Sequence, residues 1–168
     1  TRVAGIDFSR PRLADGSARY PAIRFSRASA TSLPFADKSF ELVSLVEVLE
    51  HLPEPRLALR ELARVASRYV VVSVPYRGKI LEITCPHCLK DFHFDGHIHS
   101  FDEDKLSGLA RESGLRVHFI GPYLPYYPPK NALARFPAVH KTLRKVAVAA
   151  GLRQPPTPKY LGMVAEPV

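Results

Sequence analysis

The sequence has no tryptophan, a single methionine at Met163 and only two cysteines among 168 residues. Two cysteines cannot supply the bridge framework that holds small secreted folds together, and at this length a sizeable apolar core is within reach. Cys85 and Cys88 stand three apart and read as a metal pair, a redox pair or incidental thiols. No apolar run approaches the roughly 18 residues that a membrane-spanning helix needs. The first 30 residues also lack the basic-then-apolar pattern of a secretory signal, so a cytoplasmic location is the expectation. Internal repeats and low-complexity tracts are absent as well. What remains, 46% apolar and 24% charged residues, is the composition of one soluble globular domain spanning 1–168. Its start is abrupt: Thr1 leads almost directly into the apolar stretch Val3 to Ile6, although loss of an initiator methionine would look the same.

Residues 2–75 alternate short β-rich runs with helical patterns, the signature of parallel strands joined by crossover helices. Strands are expected at Arg2 to Ile6, ending at Asp7, at Ala22 to Phe25, and at Glu41 to Val46. The last is almost continuously apolar, which predicts burial on both faces. Ser9 offers a cap for a short helical turn begun by Pro11. Pro55 opens a clearer helix, in which Leu59, Leu62, Ala63 and Ala66 fall on one stripe, and Tyr69 to Val74 follows as a buried strand. Residues 76–101 change composition to Cys, His, Asp, Phe and Gly and read as an insertion loop. Ser100 and Glu103 then suggest a capping box, Leu106, Leu109 and Ala110 a core stripe, and Gly114 a stop. Leu115 to Ile120 and Lys159 to Glu166 are the remaining strands, separated by an aromatic and basic insertion at 123–158.

The segments GIDFS (5–9), ASATSLPFADKSFELV (28–43), SLVEVLEHLPEP (44–55) and YVVVSVP (69–75) together resemble the class I S-adenosylmethionine-dependent methyltransferases, in particular the type 11 group. The likeness covers about the first 75 residues well and the helix at 101–113 loosely. It implies an α/β fold, a Rossmann-like doubly wound and mostly parallel seven-stranded sheet, with S-adenosylmethionine lying across the carboxyl ends of the strands. The first strand and glycine-rich turn of that family should precede GIDFS, and no such G-x-G occurs before Asp7. The resemblance places that strand centrally, between the first and third strands named above. The expectation is therefore a C-terminal portion of a longer methyltransferase, binding the cofactor poorly when expressed alone.

The resemblance also assigns roles. An acidic residue ending a strand can accept hydrogen bonds from both ribose hydroxyls, and Asp7, with Phe8 after it, fits that place. The alternative for Asp7 is to cap the turn through Ser9 and Pro11. Ser29 stands where the family usually has Asp facing the adenine amino group; a hydroxyl accepts the same bond without charge assistance, or is an ordinary loop serine. Ala30 would offer its backbone N–H to the ring. Glu47 would face the methionine part of the cofactor, where a carboxylate complements the positive charge. Glu50 and His51 are expected to start the next helix. Candidate catalytic residues are Glu47, His51 and His97; His51 either acts as a base or orients its turn. Methyl transfer from a sulfonium needs mainly alignment, so the lack of an obvious dyad excludes nothing.

CPHCLKDFHFDGHIHSF (85–101) is the most distinctive local feature. Cys-x-x-Cys forms a knuckle aimed at one metal, and His93, His97 and His99 are near enough in sequence to complete a Cys2His2 zinc site with Cys85 and Cys88. Crowding argues the other way, since all five fall within 15 residues, and His97 also matches the family's active-site histidine. Redox use fits less well, because the pair does not open a helix. Residues 130–159 hold seven Lys and Arg and no acid, which accounts for +7 of the net charge of +8. Val139, Leu143, Val146, Ala147 and Ala150 share one face of a basic helix at 138–150, suited to packing on the sheet, to peripheral membrane contact or to an acidic or lipid-linked substrate. Nucleic-acid binding is not expected, because the aromatics form no recognised RNA-binding motif. The predicted function is methyl transfer to a small-molecule or lipid- or sugar-linked acceptor. The competing one is a non-catalytic zinc-bearing interaction module on a degenerate methyltransferase scaffold.

Overall fold

The computed structural model describes residues 3–123 and 159–168. The helix expected at 138–150 and nearly all of the aromatic and basic insertion lie outside the described residues.

The chain opens with β1 (Ala4–Asp7), α1 (Arg10–Arg19) and β2 (Arg24–Arg27), and β1 pairs with β2 in parallel. β2 starts two residues later than the apolar content of Ala22 and Ile23 suggested. The register explains the offset: β2 is placed by its ladder, which sets Gly5 opposite Phe25 and Asp7 opposite Arg27. Gly5 is required there, since a Cβ would lie 2.5 Å from the Phe25 ring. Ser9 occupies the N-cap of α1 without a side-chain cap bond. Its own N–H instead donates to Asp7 Oδ1 at 2.8 Å, so the carboxylate organises the turn.

The core lies around a four-stranded sheet of order β3-β4-β8-β7, comprising β3 (Phe40–Val46), β4 (Ala66–Pro75), β7 (Leu115–Tyr123) and β8 (Tyr160–Pro167). β3 and β4 are parallel, whereas β8 runs against both β4 and β7, so three strands share one direction and β8 is the reversed one. β4 holds an inner position, and Val70, Val72 and Val74 are fully buried. The expectation that β3 is covered on both faces fails. It is an edge strand of this sheet among the described residues, and Leu42 and Val46 are each 56% exposed. β1 and β3 belong to separate sheets among the described residues. Among the described residues, the seven-stranded sheet implied by the resemblance is not seen as one sheet; a four-stranded sheet and the separate pair β1-β2 are.

Two helices cover the core. In α2 (Pro55–Val65) the predicted stripe buries Leu59 and Leu62 together with Ala58 and Val65. Burying each such leucine contributes about 1.5–3 kcal/mol relative to exposure. α3 (Glu103–Glu112) buries Leu106 and Ala110 and ends before Gly114, whose φ of +80° suits a residue without a side chain. The Ser100–Glu103 capping box does not form. Asp102 is the N-cap and accepts from Lys105 N–H at 3.0 Å, while Glu103 accepts from the Tyr76 hydroxyl at 3.1 Å. A side chain one residue before the helix satisfies the first-turn N–H more directly than Ser100 can.

Residues 76–101 are not wholly irregular. β5 (Glu82–Thr84) and β6 (Asp91–His93) form an antiparallel hairpin with Cys85 to Lys90 as its loop. Glu50 and His51 do not begin α2 but close a short 3₁₀ turn, Leu49–His51, which the chain leaves through Leu52 and Pro53.

Candidate functional site

The five expected cofactor residues, Asp7, Phe8, Ser29, Ala30 and Glu47, lie at carboxyl ends of strands or in the loop after one, where ligands bind in open α/β sheets. Asp7 closes β1 and keeps its second carboxylate oxygen beyond the one that Ser9 N–H occupies. Phe8 beside it is exposed. Ser29 follows β2 in a tight loop, its hydroxyl shared with Thr31 at 2.8 Å, and Ala30 is half-buried against the core cluster.

Glu47 immediately follows β3 and takes a φ of +52°, a left-handed conformation costing a side-chain-bearing residue roughly 1–2 kcal/mol. The surroundings hold it there. Its N–H donates to Ser73 C=O at 2.9 Å, and its Oε1 accepts from the Ser73 hydroxyl at 2.6 Å. Ser73 Oγ also lies 2.8 Å from the Tyr123 hydroxyl, so β3, β4 and β7 each contribute to one polar chain. Strain of this kind concentrates at functional sites. Ser73 and Tyr123 were missed in the sequence because nothing in YVVVSVP or VHFIGPY marks which alternate residue faces Glu47. Neither Asp7 nor Glu47 forms an ion pair with a basic side chain of the described residues.

Beyond Glu47 the chain turns inward. Glu50 is 1% exposed, and among the described residues neither of its carboxylate oxygens has a hydrogen-bond partner. Burial therefore pushes its carboxyl above the ordinary range, and the nearby charge of Glu47 acts in the same direction. His51 Nε2 lies 3.7 Å and His97 Nε2 3.9 Å from the same Glu50 Oε1, and the two imidazoles meet edge to face at 4.8 Å. Two of the three candidate catalytic residues are thus joined around an acid that was not singled out as a site residue. A Glu directly before His51 and between two leucines was the available signal.

The five proposed metal ligands are not gathered into one site. His97 faces Glu50, His99 Nε2 donates to Leu52 C=O at 3.0 Å, and His93 Nδ1 lies 3.7 Å from Glu82. The hairpin separates His93, on β6, from the two histidines beyond Gly96. Cys85 and Cys88 do come together: the backbone N–H groups of Cys88 and His87 and the Cys88 thiol lower the pKa of the Cys85 thiol. Among the described residues, Glu50, His51 and His97 are the one group of three whose metal-binding atoms converge, all within 4.8 Å of one another.

Comparison with known proteins bears on the fold. The architecture is that of the class I S-adenosylmethionine-dependent methyltransferases; a solved S-adenosylmethionine-dependent methyltransferase from Mesorhizobium loti superposes with a TM-score of 0.64 over 98% of this chain and 79% of its own, at 17% identity. At that identity the likeness shows the fold alone. Residues 1–71 match the family described as "Methyltransferase domain". Among curated relatives, a demethylmenaquinone methyltransferase of Renibacterium salmoninarum is 44% identical over 63 residues, 38% of this chain and 27% of that protein. An O-methyltransferase of Aspergillus sclerotiorum is 30% identical over 128 residues, 69% of this chain and 47% of that protein. The chain thus spans between about a quarter and a half of these curated relatives.

Proposed function

We propose that the protein transfers the methyl group of S-adenosylmethionine to a small-molecule acceptor. The observation that carries this reading is the methyltransferase-domain match over residues 1–71, whose strand ends present Asp7 and Glu47 without cationic partners among the described residues. Those groups suit a ligand with vicinal hydroxyls at one end and positive charge at the other. Asp7 would accept from the ribose hydroxyls through its remaining oxygen. Ser29 and the Ala30 N–H would meet the adenine, Ser29 more weakly than a carboxylate because its hydroxyl is neutral and already shared with Thr31. Glu47, fixed by Ser73, would face the cationic methionine end. When bound, S-adenosylmethionine supplies an electrophilic methyl group on sulfur, and the chain's task is to align the acceptor with it and exclude water.

The names of the relatives, a demethylmenaquinone methyltransferase and O-methyltransferases, support a small organic acceptor. We extend this to lipid- or sugar-linked acceptors on the strength of the seven cations at 130–159, which suit a charged or membrane-associated substrate. The test is incubation of the complete gene product with methyl-labelled S-adenosylmethionine and a cell extract, followed by separation of labelled products. Label in low-mass or lipid fractions supports the reading. No incorporation into any fraction, with no cofactor binding, overturns it.

The paired thiols of Cys85 and Cys88 favour one second reading, a zinc-bearing interaction module without turnover. Stoichiometric zinc that is lost in a Cys85→Ser/Cys88→Ser variant, with no labelled product, would select it.

A further inference from the structure

We propose that Glu50, His51 and His97 form a binding site for a divalent transition-metal ion, with zinc the representative ligand. The site is separate from the cysteine knuckle and stands whether or not the methyl-transfer reading holds.

A carboxylate removed from water needs compensation, and Glu50 is 1% exposed with neither oxygen hydrogen-bonded. What faces it is two imidazole nitrogens at 3.7 and 3.9 Å, beyond hydrogen-bonding distance. In a tetrahedral ion with bonds of about 2.0–2.1 Å, neighbouring ligand atoms lie roughly 3.3–3.4 Å apart. The two Glu50–imidazole distances therefore need close by only about half an ångström, and the three donors, all within 4.8 Å of one another, by at most about 1.5 Å to share one ion.

His51 is oriented for this task. Its Nδ1 lies 3.0 Å from Gly96 C=O, and a carbonyl can only accept, so Nδ1 carries the proton and Nε2 presents its lone pair toward Glu50. A ligating histidine commonly donates its other N–H to a backbone carbonyl in this manner. Gly96 has a φ of +69°, and a Cβ there would stand 3.4 Å from His51 Nδ1, so the carbonyl that orients the ring comes from a position suited to glycine.

The two halves of the site are already clipped together. Ile98 and His99 N–H groups donate to Glu50 C=O at 3.0 and 3.2 Å, which fixes the segment bearing His97 against the turn bearing His51. An ion also has a way in, since the His51 side chain is 40% and that of His97 21% exposed. Two imidazoles and one carboxylate are the donor set of zinc sites that retain an open position. They discriminate against magnesium and calcium, which prefer all-oxygen shells.

The test uses a Cys85→Ser/Cys88→Ser background, so that thiols cannot hold the ion, and titrates zinc and cobalt into apo-protein at neutral pH. The expected result is one ion per chain by calorimetry, a rise in Tm with zinc, and a cobalt visible spectrum without thiolate charge-transfer bands. Glu50→Gln and His97→Ala should each weaken binding at least tenfold while the far-ultraviolet circular dichroism stays native. Absence of binding in the Ser/Ser background overturns the proposal, as does binding that both substitutions leave unchanged. Should Glu50→Gln misfold, His97→Ala decides alone, because His97 lies in a partly exposed loop.

Discussion

Replacing Glu50 with methionine should stabilise the metal-free protein. The side chain is as inaccessible as the leucines around it, yet it leaves two acceptor oxygens without a partner. A buried polar group in that condition costs about 1–3 kcal/mol, and methionine removes the cost while nearly matching the volume. In a chain of 168 residues each kcal/mol moves Tm by roughly 2–4 °C, so Glu50→Met in excess EDTA should melt about 2–12 °C above wild type. Scanning calorimetry with matched samples in EDTA and in zinc makes the measurement. In the Cys85→Ser/Cys88→Ser background, zinc should raise the Tm of the parent protein and leave that of its Glu50→Met variant unchanged, because a ligand stabilises only the state that binds it. A lower Tm for Glu50→Met in EDTA would refute the reasoning. It would mean that the carboxylate is stabilised in the metal-free fold by contacts that the geometry does not contain.

Three further outcomes follow from the same structure. Arg64 grips Glu61 with two hydrogen bonds, at 2.7 and 2.8 Å, and lowers its pKa. A depressed carboxyl contributes stability that is present above its unfolded pKa of about 4.3 and lost as pH falls through the lower folded value. Arg64→Ala should therefore flatten the acid limb of a Tm-against-pH profile, and an unchanged limb counts against the pair. Gly96→Ala places a side chain at φ +69°, costing about 1–2 kcal/mol, so Tm should fall by roughly 2–8 °C and zinc affinity should drop with the displaced carbonyl. Phe101, 1% exposed, anchors the end of the segment bearing His97 and His99, and Phe101→Ala should cost about 3–5 kcal/mol in chemical denaturation. A loss under 1 kcal/mol would show that this anchor is dispensable.

Where one physical signal dominated, the sequence was readable. The apolar run of β4 and the leucine stripe of α2 lead directly to an inner strand and its covering helix, because burial alone sets both patterns. The strand ends carrying Asp7 and Glu47 followed from the α/β alternation. Elsewhere tertiary context decided the outcome. Leu42 and Val46 look buried in a string of apolar residues, but β3 lies at an edge among the described residues. Ser100 and Glu103 have capping-box spacing, yet Asp102 stands closer to the first free N–H. The Cys/His segment looked like a single zinc site because sequence distance hides the hairpin, which separates His93 from the later histidines. Glu50 has only a weak sign in sequence, its place beside His51 between Leu49 and Leu52, and that pattern does not tell a buried glutamate from an exposed one. Its environment comes from Leu49 and from residues 96–99, brought together by backbone hydrogen bonds across nearly fifty positions.

The central claim is that the strand ends around Asp7 and Glu47 bind S-adenosylmethionine. Isothermal titration of the complete gene product with S-adenosylmethionine and with its demethylated product tests it most directly. The account predicts saturable one-to-one binding of both, weakened about tenfold or more by Asp7→Asn, which removes a charge-assisted hydrogen bond to the ribose. Absence of heat for either ligand, or wild-type affinity in both Asp7→Asn and Glu47→Gln, would contradict it.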